Sequence, residues 1–231
     1  MDNIITANRG FKYSVRVKPL SLSNYQMLFW LFMTGSVVGF VLEGLWMIIK
    51  AGHWENHSAV IWGPFCIIYG IGAAAAFLLS QIFSGRHVLL QFGACFISGT
   101  LVEYFGSLFQ EFFFGTISWD YSEHFLNIGG RVSLKMALVW GIFGVLFMRF
   151  LFPLLNRVFE KLNRKKGTLL CRILIVFMVL NLATTSVVLT RWHRRQENIL
   201  PGNSIERAID YIYGDEKMER LYPNMRFIDF G

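Results

Sequence analysis

Residues 27–49 read MLFWLFMTGSVVGFVLEGLWMII, with Glu43 as the single charge. A helix needs about 20 such residues to cross roughly 30 Å of hydrocarbon. A lone strand there would leave its backbone groups without partners in lipid. The stretch therefore predicts a transmembrane helix. Four more apolar runs follow, at about 61–83, 88–110, 132–155 and 169–189. The alternating pattern of a membrane barrel is absent. The expected fold is all-α: a polytopic helical membrane bundle of about five spans.

Composition agrees. The chain is 54% hydrophobic and 16% charged, with a mean hydropathy of +0.45. A soluble domain carries about a quarter charged residues. The net charge of +7 needs no nucleic-acid partner. Basic residues beside the spans are attracted to anionic headgroups, so the expected partner is the lipid bilayer.

Four regions follow from this patterning. They are a basic N-terminal segment (1–26), a four-span membrane domain (27–155), a basic loop with the fifth span (156–190), and a polar tail (191–231). The first carries Arg9, Lys12, Arg16 and Lys18 and no apolar stretch, so no signal peptide is expected. The loop NRVFEKLNRKKGT (156–168) holds five more basic residues. The loop between spans three and four has only Arg131 against Glu111, Asp120 and Glu123. Positive loops stay inside, which predicts a cytoplasmic N-terminus and an external C-terminus. Arg191, Arg194 and Arg195 oppose this by placing a basic cluster outside.

The tail contains a Pro201-Gly202 turn signal. Ser204 reads as a helix start, with Ile205, Ala208, Ile209 and Ile212 on one face. A small amphipathic helix near the membrane surface is expected. Cys66, Cys95 and Cys171 fall inside predicted spans without CxxC spacing, so buried inert thiols are expected. The five histidines form no HExxH, and no metal or other cofactor is expected.

Charges within hydrocarbon are costly and mark functional sites. Glu43 and Glu103 each fall about 10 Å below the outer end of their spans, counted at 1.5 Å per residue, and so share one layer. On the third span Thr100, Glu103, Ser107, Gln110 and Glu111 lie on one side at helical spacing. On the first, Ser36, Gly39, Glu43 and Lys50 share a face. Gly35 with Gly39 forms a GxxxG pair that lets helices approach. Pro64 suits the first turn of the second span, and the Tyr69 hydroxyl needs a polar partner if buried. Arg131 opens the fourth span. Its depth predicts a pairing with Glu103, with Glu43 or Glu111 as second partner. Trp119 to Ser122 read as a structured cap, and Gly129-Gly130 as a tight turn ahead of Arg131.

Together these residues resemble a bacterial membrane family, the CmpB-like, type IV group of ABC-transporter permeases. The resemblance rests on Glu43, Gly63-Pro64, Tyr69-Gly70, Glu103-Tyr104, Ser107 and Glu111. It continues through Trp119 to Ser122, Asn127, Gly130-Arg131 and Trp140-Gly141, and covers about residues 27–153. Where the family suggests Asn-Arg-Gly ahead of Gly63, this chain has His57-Ser58-Ala59. Ile67 stands where a proline is suggested. The missing arginine weakens the case for an anion-binding role of the first loop.

The resemblance implies a multi-pass bacterial cell-membrane protein that moves an unidentified solute. The chain has no Walker A motif, so an ATPase would be a separate subunit. A homo-oligomer is compatible with the pattern. The site residues are Glu43, Tyr69, Glu103, Ser107, Glu111, Asp120, Asn127 and Arg131, a layer for substrate, ion or structure. The alternatives are a membrane-embedded enzyme, with Glu103 as general base, and an assembly factor of the cell envelope. No nucleophile–base pair is recognisable, so the expectation is a protein that is not an enzyme.

Overall fold

The computed structural model describes residues 24–83, 85–160 and 164–228. The basic residues of the N-terminal segment and Lys161 lie outside them. Helices dominate: α1 (Asn24–Ala51), α2 (Ile67–Phe83), α3 (Val88–Phe114), α4 (Leu134–Leu146), α5 (Phe152–Glu160) and α6 (Arg164–Gln196). A π-helical turn, Phe147–Leu151, joins α4 to α5. The resulting apolar rod spans Leu134–Phe159. Four helices are long and apolar enough to cross a membrane, and α2, with 17 residues, is a shorter fifth.

The bundle has its apolar residues outside as well as inside. Leu45, Ile97, Phe105, Ile173 and Val176 are all exposed. In water such a surface would be an aggregation liability. In hydrocarbon it is the expected exterior.

Small residues set the packing. α1 packs along α2, α2 along α3, and α3 along α4. A Cβ on Gly39 would overlap the Tyr69 ring, and one on Gly35 would crowd Ala73 and the Tyr69 carbonyl. Association in lipid depends on this close approach. Gly39→Val is therefore expected to displace Tyr69 and cost about 1–3 kcal/mol, the usual range for overpacking. A lowered melting temperature in detergent and a reduced yield would be the readout. An unchanged melting temperature would show that α1 can shift to make room.

α6 contacts α1 and α3 and belongs to the fold. Asn181, fully buried, donates through Nδ2 to the Trp62 carbonyl at 2.7 Å and accepts from the Trp62 amide at 3.2 Å. One turn on, Thr185 Oγ1 accepts from the Ile61 amide at 3.1 Å. These bonds satisfy the non-helical backbone ahead of α2. The second span is thus shorter than the run 61–83: helix begins at Ile67. Pro64 precedes it rather than lying in its first turn, and Cys66 also precedes it. Gly63 takes φ +92 there, and the Cys66 amide bonds to the Ser36 carbonyl at 3.0 Å. The chain enters α2 through a turn held by α1 and α6.

The long connections gather at one end of the bundle. The tail folds over them as α7 (Ser204–Ile212), α8 (Asp215–Leu221) and β4 (Arg226–Phe227). β4 pairs antiparallel with β1 (Thr116–Ile117), Thr116 opposite Phe227. A second apolar core joins Ile61, Val188, Leu189, Trp192, Met218 and Tyr222. α7 starts at Ser204, as the sequence indicates, and is capped by Asn203, which accepts from the Glu206 amide at 2.9 Å. Its expected apolar face divides. Ile209 packs on this core, whereas Ile205 and Ile212 are exposed.

Candidate functional site

The third connection is built around a hairpin. β2 (Asn127–Ile128) pairs with β3 (Val132–Ser133), and Gly129 and Gly130 take φ +58 and +68 at the turn. Such angles suit glycine. Asn127 uses its whole amide here: Nδ2 donates to the carbonyls of Ser122 (2.9 Å) and His124 (3.0 Å), and Oδ1 accepts from the Gly130 amide at 3.1 Å. Asp120 is exposed and accepts from the Ser122 amide (2.9 Å) and hydroxyl (2.5 Å). Those bonds hold its carboxyl below the usual range. Asp120 and Asn127 therefore shape the loop, and their bonds stay within it.

The hairpin aims Arg131 at α3. Its guanidinium forms an ion pair with Glu111 and donates to Ser107 Oγ at 3.3 Å. Tyr104 also acts on it electrostatically. The pairing expected with Glu103 does not form, and the second expected partner, Glu111, takes its place. The cause is position: α4 begins at Leu134, so Arg131 is a hairpin residue and not the first turn of the fourth span. It meets α3 two turns further toward the loop-rich end.

Glu103 is instead claimed from two sides. Tyr121 OH donates to Oε1 at 3.0 Å and Trp140 Nε1 donates to Oε2 at 3.3 Å. Glu103 is 4% exposed. Glu43, half-buried, accepts from Tyr69 OH at 2.5 Å, a short charge-assisted bond if the carboxyl is ionised. The Tyr69 and Trp140 rings lie 5.6 Å apart. Trp140 sits between Gly72 and Gly99, where any side chain would collide with its ring. A continuous layer results, running Glu43, Tyr69, Trp140, Glu103, Tyr121. The two carboxylates act on each other electrostatically. Among the described residues neither has a basic partner. Trp140 and Tyr121 as carboxylate donors escaped the sequence reading. The signal for Trp140 was a polar N–H amid small residues on a span.

A separate polar contact lies near the short-loop end. Arg149, in the π-turn, donates from Nε to Gln91 Oε1 at 2.9 Å, and Gln91 Nε2 donates to the Phe83 carbonyl at 3.0 Å. Among the described residues no three His, Cys, Asp or Glu side chains come together to hold a metal.

The family described as "Putative ABC-transporter type IV" matches residues 30–186. The chain belongs to this family. The match includes most of α6 and so reaches beyond the residues 27–153 that carry the resemblance in sequence. No curated protein and no solved structure matches the chain. Family and helices together make it a membrane protein related to transport.

Proposed function

We propose that the chain is a permease-like subunit moving a solute across the bacterial cell membrane, and that it is not itself an enzyme. One observation carries this reading. Two carboxylates share an intramembrane layer, linked by Tyr69 and Trp140, without a basic partner among the described residues. Burying acids to glue helices is expensive unless a cation neutralises them. A passing cationic group would do so. Energy would come from a separate ATPase at the short-loop, cytoplasmic end. Glu43→Gln and Glu103→Gln should each lower flux of a cationic solute panel in reconstituted vesicles while leaving abundance unchanged. Equal flux at equal abundance would remove the proposal.

The proposed orientation has the N-terminus inside and the folded tail outside, following the basic loop after α5. Reporter fusions at Lys165 and Gly231 should show opposite sidedness. The same sidedness for both would mean that α6 does not cross.

A further inference from the structure

Beside the carboxylate layer lies a cavity of about 470 Å³, in the range of small-molecule sites. Its back wall is made of small residues, including Gly35, Ala73, Ala76, Gly99 and Gly144. α1 and α4 have little direct contact, and they form its two rims. Val38 and Leu42 on one side, and Leu146, Phe150 and Leu154 on the other, are exposed, so the groove opens sideways into the bilayer. Between Leu42 and Leu31 it runs about 16 Å along α1, at 1.5 Å per residue. It ends at Tyr69 and Trp140, the two side chains that bond Glu43 and Glu103.

We propose that this groove takes the alkyl chain of an amphiphile whose protonated amine head binds at the Glu43–Glu103 layer. The proposal rests on the transport reading and names its substrate class. The shape suits a chain: long, apolar, and open to the medium in which such chains dissolve. Charge selects the head. An amine offers several donors and a positive charge to two carboxylates that have no basic partner among the described residues. A phosphate or carboxylate head would be repelled, because Arg131, the nearest guanidinium on the third connection, is held by Glu111. A transmembrane helix from another protein could cover the apolar wall but would leave the acids uncompensated.

The test uses the full chain in lipid nanodiscs. A photoactivatable long-chain alkylamine is compared with the alcohol and the carboxylic acid of the same chain, and labelled peptides are mapped. The amine should label 34–42 and 143–151 and be competed by unlabelled amine. A charge-assisted hydrogen bond corresponds to about ten-fold in affinity, so the amine should exceed the alcohol by about that factor. Glu43→Gln with Glu103→Gln should bring the ratio near one while chain labelling persists. Val38→Trp, at an exposed rim, should abolish labelling by all three probes. Equal labelling of the wild type by amine and acid would overturn the proposal. So would labelling no higher than elsewhere on the lipid-facing surface, or a Val38→Cys cross-link between copies that excludes the probe. The wild-type comparison stands even if the variants misfold. Labelling without flux of the amine would remove the transport reading alone, whereas flux of small cations without labelling would remove the lipid site alone.

Discussion

Arg131→Gln is expected to lower stability by about 2 kcal/mol, and adding Glu111→Gln should restore most of the loss. Removing one member of a buried pair leaves the other uncompensated, at about 3–5 kcal/mol in water-soluble proteins. Values within membranes run smaller, and both side chains keep some exposure, 18% and 26%. Arg131 also loses its bond to Ser107, which keeps the rescue incomplete. Pairing the same change with Glu103→Gln should give no rescue, because Glu103 is bound by Tyr121 and Trp140. Thermal melting of the four proteins in one detergent separates the cases. Rescue by Glu103→Gln but not by Glu111→Gln would place the ion pair on the wrong carboxylate.

The contrast shows what the sequence could and could not carry. The shared layer of the two acids was legible. Residue counts along apolar runs put Glu43 and Glu103 in one layer, and helical spacing put Ser107 and Glu111 on the Glu103 side. The height at which Arg131 meets α3 was not. Whether Arg131 turns toward Glu103 or Glu111 depends on a glycine hairpin that delays the start of α4. Tyr121 read only as part of a structured cap, because nothing local reveals that its loop folds back on α3. The tail is the same case on a larger scale. The pairing of Thr116 with Phe227 joins segments far apart in sequence, and no local periodicity encodes it. Asn181 and Thr185 escaped the sequence reading, although they stand one turn apart inside an apolar run. Polar residues one turn apart inside an apolar run mark a helix face that has something to bind.

The same asymmetry governs the tail. Arg191→Met is expected to release α7 and α8 from the end of α6. The Arg191 guanidinium is 3% exposed and donates from Nε and Nη2 to the two oxygens of Asp210, at 2.9 and 2.7 Å, while Nη1 reaches the Ile199 carbonyl at 2.9 Å. Arg195 adds a bond to Asp210 at 2.6 Å, and Arg194 holds Glu206 at 2.7 Å. A methionine fills the volume but leaves Asp210 with Arg195 alone. The cost should sit at the lower end of the buried-pair range, about 3 kcal/mol, because the Asp210 side chain keeps 23% exposure. Arg191→Met with Asp210→Asn should recover much of it. Acid should mimic the single change. Hydrogen bonds from Arg191, then Arg195, hold the Asp210 carboxyl below its ordinary value. A depressed carboxylate contributes stability that is fully present above its unfolded pKa, about 3.9. That contribution is lost as pH falls further, through the folded value. Limited proteolysis within 197–203 should thus be slow at pH 7 and rapid in Arg191→Met. In the wild type it should quicken only below about pH 4, a shift that the double variant should lack. Equal protease resistance of Arg191→Met and the wild type would show that the second apolar core around Met218 holds the tail without the ion pairs.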